Sequence, residues 1–380
     1  MASFSQQIVF IVSFLLYFST CTNGLAIGPK ISLPALSGTF EVGTIEMKLT
    51  DVSTPDPFAP GTSRSILVQA FYPTNDTENY LSAPYMGSAT SAFYENYFHL
   101  PSGALSVLQT NSHISAPISC DYETGVILLS PSLGASRHVY TAFAEDLASH
   151  GFIVISIDHP YEADIVEFPD GTVILSAVPT NTTDADIEYF MDLRLNDTIF
   201  TLDLLHTIVY SITGSEYNAD LGNIGIFGHS FGGAIAAQIM LVDDRVAAGL
   251  NLDGMLRGSV VTAGLDKPFL LMGAGAHYRS VYETWQSFWD NQRGWKRELH
   301  LANAEHEVFS DLPVVIELLG LRDSPLGEAL EGMVGTIDGL RANEVQRAYI
   351  AAFFELALRG KDVALLNGPD PEYAEMAFLD

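Results

Sequence analysis

The amino-acid sequence predicts an α/β fold, in which a mostly parallel central sheet carries helices on both faces. Short continuous apolar runs, such as residues 125–130 and 152–157, are typical of parallel strands that are buried on both sides. Stretches with helical periodicity separate these runs, and this alternation indicates an open sheet covered on both faces. Ligands bind such sheets at the carboxyl ends of the strands, so we expect the functional site at that edge.

The predicted strands form two groups. Residues 39–51 and 65–72 alternate between apolar and polar side chains, which predicts two early antiparallel strands. The later strands are short apolar runs, predicted at residues 125–130, 152–157, 224–227, 246–252, 268–272 and 298–301.

Three longer stretches have the apolar spacing of helices. They cover residues 139–150, 184–213 and 343–358. Glycine is the residue best suited to end a helix, and the chain has one after each stretch, at Gly151, Gly214 and Gly360.

Two aromatic-rich segments interrupt this alternation, at residues 78–119 and 277–297. Aromatic insertions beside a site can form a lid, an acyl pocket or a lipid-facing patch. Ordinary packing onto the sheet is the alternative, and we expect it for half or more of these side chains.

Length and composition bound the class of protein. The chain has 380 residues, of which 48% are hydrophobic and 17% are charged. It therefore has enough apolar surface for a large core and is not disordered. This length suits one large α/β domain with insertions or two smaller domains. We predict a leader at residues 1–24 and a single domain at residues 25–380.

The amino terminus predicts a secretory signal peptide. Residues 8–18 are apolar but too few to span a membrane comfortably, and small and polar residues follow. A signal anchor is the alternative, because residues 1–7 contain no Lys or Arg. Three N-x-[ST] glycosylation sequences also indicate export, at Asn75, Asn181 and Asn196. We therefore expect a secreted, extracellular glycoprotein.

Charge limits the partners that the surface can bind. The 46 acidic and 17 basic side chains give a net charge of −29, which repels nucleic acid and anionic membranes. We therefore predict no nucleic-acid partner and no strong binding to anionic membranes. Contact with neutral lipid or micelles remains open.

The most informative motif is a G-x-S-x-G run between the apolar run at residues 224–227 and a helix-like stretch at residues 233–240: Gly228-His229-Ser230-Phe231-Gly232. A strand that turns sharply into a helix exposes the central serine on a strained elbow, beside the first N–H groups of the helix. Side chains at the flanking glycines would collide with neighbouring backbone. The motif predicts that Ser230 is a nucleophile, and the alternative is a glycine-rich turn around a buried serine.

A serine nucleophile needs a base, and the base needs an acid that orients it. With an elbow of this kind the chain order is serine, acid, histidine. Asp253 follows the predicted strand at residues 246–252 and is the preferred acid, with a turn or helix-capping aspartate as the alternative. Asp243 and Asp244 lie in a polar turn, and Asp266 lies at the wrong end of its strand.

Three histidines follow the motif. His306 comes just after the last of these strands, where a loop lets its imidazole reach back to the serine, and it is the preferred base. His277 lies in a glycine-rich loop after a strand and is the second candidate. His300 lies within a strand pattern.

Acyl transfer also needs N–H groups that bind the developing oxyanion. One is expected from Phe231, the residue after the nucleophile. The other is expected from Leu133, in the loop at residues 130–135 that follows a predicted strand. A plain strand-to-helix turn is the alternative for this loop.

No metal or cofactor site is predicted. His306-Glu307 lacks the second histidine of H-E-x-x-H, and the sequence contains no C-x-x-C pair. It also contains neither G-x-x-x-x-G-K-[ST] nor G-x-G-x-x-G, so no phosphate loop or dinucleotide site is indicated. Of two cysteines, cleavage of the leader would remove Cys21 and leave Cys120 alone, so no internal disulfide is expected.

Several segments, spread over residues 40–365, together resemble the plasma-type and intracellular type II platelet-activating-factor acetylhydrolases. The helix-to-strand stretch at residues 143–154 is the most specific of them. The others are Leu133-Gly134-Ala135, Asp158-His159, Gly228-His229-Ser230-Phe231-Gly232-Gly233, Leu252-Asp253 and residues 306–311.

The resemblance implies an α/β-hydrolase fold and metal-independent hydrolysis of short or oxidised acyl esters from phospholipid-like substrates. Carried over to this chain, it implies Ser230 as nucleophile, Asp253 as orienting acid and His306 as base. It also implies oxyanion N–H groups from Leu133 and Phe231.

The chain departs from the family in the loop at residues 130–135. Pro131-Ser132 stands where the family usually has His-Gly. Proline has no N–H, and serine tolerates fewer backbone conformations than glycine. The departure bears on the shape of the oxyanion site and of the acyl pocket.

We therefore predict a secreted serine esterase that acts on a small-molecule or lipid ester through an acyl-enzyme. One alternative keeps the chemistry but changes the substrate, as in a cutinase-like, lipase-like or metabolite-tailoring hydrolase. Another alternative is a non-catalytic binding protein with a hydrolase fold.

Overall fold

A large mixed sheet forms the centre of the structure, a computed structural model that describes residues 29–119, 125–214 and 221–380. The predicted leader, Cys21 and Cys120 lie outside the described residues. The strands are β1 Ile31–Ser32, β2 Glu41–Pro55, β3 Ser63–Thr74, β4 Ser82–Pro84, β5 Leu108–Ile114, β6 Val126–Ser130, β7 Ile153–Asp158, β8 Ile165–Glu167, β9 Val173–Leu175, β10 Ile224–His229, β11 Val246–Leu252, β12 Phe269–Ala274, β13 Lys296–Leu301 and β14 Met376–Phe378.

The helices connect and cover these strands. They are α1 Ser88–Tyr97, α2 Thr141–Ser149, α3 Asp184–Asp203, α4 Leu205–Thr213, α5 Phe231–Val242, α6 Val260–Ala263, α7 Glu283–Asn291, α8 Leu312–Leu318, α9 Gly327–Val334 and α10 Gly339–Arg359. Short 3₁₀ turns cover Arg137–Tyr140, His306–Phe309, Ala364–Leu366 and Pro371–Tyr373.

The strand order confirms the predicted fold class. The main sheet runs β1-β5-β2-β3-β7-β6-β10-β11-β12-β13-β14, with β4 paired to β5. β7, β6, β10, β11, β12 and β13 are parallel, whereas β2, β3 and β7 pair antiparallel, as do β13 and β14. Parallel pairing aligns the carboxyl ends of the central strands, so the loops after β6, β10, β11 and β13 share one edge.

Helices cover both faces of the sheet, because alternate side chains of each strand point to opposite sides. Ile127 and Leu129 of β6 belong to a core cluster with α2, α8 and α10. Val126 and Leu128 of the same strand belong to a second cluster with α4, α5 and α7. A fully buried aliphatic side chain contributes roughly 1.5–3 kcal/mol, so both faces stabilise the strands that carry the site.

The prediction of one helix over residues 184–213 was wrong, because the stretch forms two helices that meet at Leu204. α3 buries Ile187 and Met191 in a small cluster beside Leu133. α4 instead buries Ile208 in the sheet cluster. The break lets two apolar stripes face different partners, which a single straight helix could not do.

Two other helix boundaries also differ from prediction. The helix predicted over residues 139–150 begins at Thr141, after the 3₁₀ turn, and Gly151 follows it with a φ of 89°. The helix predicted over residues 343–358 is longer, because Asp338 accepts a hydrogen bond from the Arg341 N–H and caps α10 one turn earlier.

The aromatic side chains of the two interrupting segments pack onto the protein. Residues 78–119 form β4, α1 and β5, with Tyr85 and Tyr94 fully buried. Residues 277–297 contain α7, with Trp285 and Phe288 fully buried. Ordinary packing therefore accounts for these four rings. In the described part of the chain, no helix has the length and apolar character that crossing a bilayer requires.

Candidate active site

The G-x-S-x-G run forms the predicted sharp turn between β10 and α5. Ser230 has φ 55° and ψ −118°, a backbone conformation that residues other than glycine rarely adopt. A Cβ on Gly232 would lie 1.9 Å from the Ser130 carbonyl oxygen, and one on Gly228 would lie 2.4 Å from Gly232 backbone. The glycines therefore let the elbow lie directly against the end of β6.

The structure brings the predicted nucleophile, acid and base together at the carboxyl edge of the sheet. Ser230 Oγ lies 3.0 Å from His306 Nε2, and His306 Nδ1 lies 2.5 Å from Asp253 Oδ2. Ser230 follows β10, Asp253 follows β11, and His306 begins the 3₁₀ turn after β13. Three neighbouring loops thus supply a continuous serine–histidine–aspartate chain of hydrogen bonds.

Asp253 is buried and is held by the neighbouring strand, β12. Its φ is 58°, and its N–H donates to the Met272 carbonyl oxygen at 2.8 Å. Its Oδ1 accepts from the Ala274 N–H at 3.0 Å. Its Oδ2 accepts from His306 and also lies 2.7 Å from Nδ1 of His277. The first and second candidate bases therefore share one carboxylate oxygen.

The other acids and the third histidine lie elsewhere. Asp243 pairs with Arg245, and Asp266 pairs with Arg293. His300 lies on β13 and bonds to the Gly275 carbonyl oxygen through Nε2 at 3.0 Å. Each of these three side chains thus bonds to a group outside the Ser230–His306–Asp253 chain.

Electrostatics at the site shift the pKa values of His306 and His229 in opposite directions. Burial lowers the pKa of His306, but Asp253, Glu307 and Glu305 outweigh that effect, and the pKa lies above its ordinary value of 6.5. Burial, with the charges of His306 and His277, holds the pKa of His229 well below 6.5. Burial also raises the pKa of Glu307 to about 7.

The backbone N–H groups of Leu133 and Phe231, predicted as oxyanion donors, have no hydrogen-bond partner in the described part of the chain. Leu133 follows β6, and Phe231 is the first residue of α5. Both residues are buried, and neither N–H donates to an acceptor among residues 29–119, 125–214 and 221–380. A buried N–H normally has a partner, so these two groups are available to a bound oxygen.

A buried ion pair holds the loop at residues 130–135 from behind. Arg194 of α3 donates to the carbonyl oxygens of Pro131 and Ser132, at 2.5 and 2.8 Å. It also donates to Glu162 Oε2 at 2.7 Å, and Glu162 Oε1 accepts from the Gly134 N–H at 2.7 Å. The pair therefore fixes the peptide groups on both sides of Leu133.

Tyr140 holds the same loop from a second direction. Its hydroxyl oxygen accepts from the Ser132 N–H at 3.1 Å and lies 3.0 Å from Nδ1 of His229. Because His229 is neutral, the Tyr140 hydroxyl can donate to that nitrogen. The network joins the loop to the elbow.

The departure at Pro131-Ser132 fits this loop without strain. Pro131 uses its carbonyl oxygen, so its missing N–H costs no hydrogen bond. The left-handed backbone conformation falls on Gly134, with φ 83°, and not on Ser132. With Pro131 and Ser132 in place, the loop therefore still leaves the Leu133 N–H without a protein partner in the described part of the chain.

Sequence reasoning did not identify Arg194, Glu162 or Tyr140 as supports of the site. A signal did exist for Arg194, which lies seven residues after Ile187 and three after Met191, on the buried stripe of α3. An arginine on an apolar stripe needs a buried acceptor set. Nothing in the sequence pattern marked Glu162 or Tyr140 as its partners.

A cavity of about 600 Å³ lies between α3, α5 and the chain after Asp253. Ile187 and Met191 line it and also pack in the cluster that contains Leu133 and Phe231. Leu256 and Val261 line its other side. Cavities of this size hold small-molecule ligands, and this one adjoins the residues around the two free N–H groups.

Among the described residues, the ligand-type atoms of Asp253, His277 and His306 lie within 4.8 Å of one another. Their separations of 2.5 and 2.7 Å to the shared oxygen are those of hydrogen bonds. Two imidazole N–H groups that donate to one carboxylate account for the cluster.

Comparison with known proteins places the chain among ester hydrolases. Residues 25–168 match the family described as platelet-activating factor acetylhydrolase, isoform II. A probable 1-alkyl-2-acetylglycerophosphocholine esterase of Arthroderma benhamiae is 31% identical over 376 residues, covering 92% of this chain and 94% of the relative. The platelet-activating factor acetylhydrolase of Canis lupus familiaris is 25% identical over 211 residues, covering 47% of this chain and 43% of the relative.

A solved structure of another ester hydrolase has a similar overall fold. The ferulic acid esterase from Streptomyces cinnamoneus is 33% identical, with a TM-score of 0.79, and the match covers 92% of this chain and 99% of that one. These similarities identify an α/β-hydrolase that cleaves carboxylic esters, and they do not support the non-catalytic alternative. The esterase of Arthroderma benhamiae matches this chain over almost its whole length, and residues 25–168 match the family itself. The chain therefore belongs to the platelet-activating factor acetylhydrolase, isoform II, family.

Proposed function

We propose that this ester hydrolase acts through Ser230, His306 and Asp253. The observation that carries the proposal is the chain of contacts from Ser230 Oγ to His306 Nε2, at 3.0 Å, and from His306 Nδ1 to Asp253 Oδ2, at 2.5 Å. Contacts of this length allow direct proton transfer between a serine and its base.

In the proposed reaction His306 takes the Ser230 proton as the serine oxygen attacks the ester carbonyl. The imidazolium that forms is stabilised by Asp253, whose carboxylate also fixes the ring so that Nε2 faces the serine. The carbonyl oxygen becomes an oxyanion that accepts from the N–H groups of Leu133 and Phe231.

His306 then gives its proton to the departing alcohol, and the acyl group remains on Ser230. A water molecule, deprotonated by the same imidazole, attacks the acyl-enzyme, and His306 returns that proton to Ser230 Oγ as the acid leaves.

The proposed substrates are short or modified acyl esters of phospholipid-like molecules. This proposal is supported by the relative from Arthroderma benhamiae, whose name gives a 1-alkyl-2-acetylglycerophosphocholine as its ester. The match covers 92% of this chain, so it includes all three loops that carry Ser230, Asp253 and His306.

A second candidate substrate class is esters of aromatic acids. It is favoured by the identity of 33% to a ferulic acid esterase across 92% of this chain. A planar aromatic acid with its alcohol fits within the usual volume of ligand pockets. Cutinase-like or lipase-like substrates would instead require turnover of long acyl chains.

The first test is hydrolysis of p-nitrophenyl esters from acetate to palmitate by wild type and Ser230→Ala. We expect kcat/KM to fall by a factor on the order of a thousand or more, with short chains preferred by wild type. Ser211 is an exposed serine on α4. The variant Ser211→Ala is the matched control and should retain full activity. Equal activity of wild type and Ser230→Ala would refute the proposed nucleophile.

The two substrate classes are separated by a direct comparison. Acetate release from 1-alkyl-2-acetylglycerophosphocholine is measured against hydrolysis of methyl ferulate, with the same enzyme preparation. A higher kcat/KM for the phospholipid supports the first class, and a higher value for methyl ferulate supports the second.

We also propose that the protein is secreted, on the basis of the apolar run at residues 8–18 and three glycosylation sequences. Asn75 and Asn181 are exposed in loops, where a glycan can be attached. Asn196 is exposed on α3, but Thr198 is buried and its hydroxyl donates to the Arg194 carbonyl oxygen. Expression in a eukaryotic host should give glycosylated protein in the medium, and unglycosylated protein retained in the cells would contradict export.

A further inference from the structure

The carboxylate of Asp253 has two imidazole neighbours, and the proposed mechanism uses only one of them. Nδ1 of His306 lies 2.5 Å from Oδ2, and Nδ1 of His277 lies 2.7 Å from the same oxygen. The two rings are 5.6 Å apart and inclined at 77°. Oδ1 accepts from the Ala274 N–H. A carboxylate is the acceptor for each of these N–H groups, so His277 is a second donor to the acid of the triad.

His277 is held in this position by its surroundings. The backbone N–H of His277 donates to the Ala274 carbonyl oxygen at 3.0 Å, and this bond closes a tight turn after β12. Its ring stacks on Tyr282 with centroids 4.8 Å apart and an interplanar angle of 26°. The side chain of His277 is 30% exposed and that of His306 is 17% exposed. The ring is therefore fixed on one side and open to solvent on another.

The groups around His277 come from several elements. Burial raises the pKa of Tyr282 to about 12, so its hydroxyl is neutral beside the His277 ring. The 3₁₀ turn contributes His306, and the residue before that turn, Glu305, places its carboxylate near Gly275. The nearby titratable and charged groups are thus Asp253 after β11, Tyr282 before α7, His300 on β13, His229 at the elbow, and Glu305, His306 and Glu307 at the turn.

We propose that His277 is a positioning residue of the triad, which holds Asp253 in place and shares its negative charge with His306. The inference rests on the proposed roles of Ser230, Asp253 and His306. A carboxylate oxygen that accepts two N–H groups is a weaker acceptor for each than one that accepts a single group. His277 therefore makes His306 less basic than Asp253 alone would make it, and it prevents Asp253 from rotating away from His306.

The proposal predicts the sign of a pH effect. Removing the His277 N–H leaves the whole charge of Oδ2 to His306, and this raises the pKa of His306. The base must be neutral to accept the Ser230 proton, so the acid limb of the kcat/KM profile moves to higher pH. A change in packing alone lowers the rate but does not move this limb.

Two variants separate the N–H donor from the ring. His277→Asn keeps an N–H at the position of Nδ1, since the asparagine Nδ2 is bonded to Cγ as Nδ1 is, but it loses the stacked ring. His277→Phe keeps the ring on Tyr282 but loses the donor. We expect His277→Phe to lower kcat/KM on the order of tenfold and to raise the midpoint of the acid limb by about half a pH unit. His277→Asn should stay close to wild type in both.

The matched control is His300→Phe, which removes a nearby histidine that does not contact Asp253. It should leave the acid limb where it is. All variants are compared with wild type by circular dichroism and melting temperature, and His277→Leu replaces His277→Phe should the latter fail to fold.

Three outcomes would overturn the inference: an acid limb that stays fixed in His277→Phe, a limb that moves equally in His277→Asn, or a rate lower in His277→Asn than in His277→Phe. The inference and the proposed function fail separately. If Ser230→Ala is inactive and the His277 variants resemble wild type, only the role of His277 is wrong. If Ser230→Ala is active, the triad itself is wrong.

Discussion

At the scale of single residues, the loop at residues 130–135 shows how side chains decide which backbone groups remain free. Arg194 and Glu162 occupy the peptide groups on both sides of Leu133, and Tyr140 accepts from the Ser132 N–H. The Leu133 N–H is left without a protein partner among the described residues. Each hydrogen bond made behind the loop thus occupies a neighbouring group and leaves the Leu133 N–H unpaired within that part of the chain.

Tyr140→Phe tests this arrangement with a change of one oxygen atom. The variant leaves the Ser132 N–H unpaired, so we expect the free energy of unfolding to fall by about 1–3 kcal/mol. If the loop positions the oxyanion donor, kcat should fall on the order of tenfold while KM changes little. Steady-state kinetics with p-nitrophenyl acetate and chemical denaturation measure the two effects.

Tyr85→Phe is the matched control for this prediction. Tyr85 is also fully buried, and its hydroxyl donates to Asp311 at 3.2 Å, in a contact that involves neither the elbow nor the 130–135 loop. It should lose comparable stability and keep the wild-type kcat. A similar loss of kcat in both variants would mean that general destabilisation, and not the loop, sets the rate.

Sequence patterns selected the three side chains that the structure brings together, but not the residues that support them. Ser230 lies in a motif with a strict local geometry, and Asp253 and His306 follow strands in a fixed chain order, so local patterns sufficed to select them. Glu162 and Arg194 are 32 residues apart, and their contact depends on how α3 crosses the sheet edge. Such long-range pairing leaves no periodic trace in the sequence.

At the scale of secondary structure, the elbow depends on how closely β10 and α5 approach β6. The carbonyl oxygen of Ser130 occupies the space that a Cβ of Gly232 would need, at 1.9 Å. Any side chain there must push the elbow away from β6, and with it Phe231 away from the 130–135 loop. The spacing between the two predicted oxyanion donors would then change.

Gly232→Ala is therefore expected to lower kcat/KM by about a hundredfold or more, because displacements near 1 Å cost that much in catalysis. Gly332→Ala is the matched control, since a Cβ at Gly332 in α9 meets nothing within 4 Å. The control should keep full activity and gain about 0.5–1 kcal/mol of stability. An active Gly232→Ala would show that the close approach is not needed.

The helix over residues 184–213 shows where pattern reasoning fails at this scale. Its spacing predicts one helix, and both halves are indeed helical. The break at Leu204 follows from the tertiary environment, because Ile187 must face the Leu133 cluster whereas Ile208 must face the sheet. Two buried surfaces at different angles decide the break, and neither is visible in the periodicity.

At the scale of the whole molecule, the net charge of −29 bears on the proposed phospholipid-like substrate class. A phospholipid-like ester resides in micelles or bilayers, so the rate depends on access to that surface as well as on the chemistry at Ser230. A strongly acidic protein is repelled by an anionic bilayer over about one Debye length. A zwitterionic bilayer offers no comparable barrier.

We therefore expect acetate release from 1-alkyl-2-acetylglycerophosphocholine to be several-fold slower in vesicles that contain phosphatidylglycerol than in pure phosphatidylcholine. The difference should shrink as salt is raised from about 0.01 M to about 1 M, because the Debye length falls from about 30 Å to about 3 Å. Water-soluble p-nitrophenyl acetate, assayed with the same vesicles, is the control and should show no such dependence. Faster hydrolysis on the anionic vesicles at low salt would mean that a local basic surface, and not the net charge, governs docking.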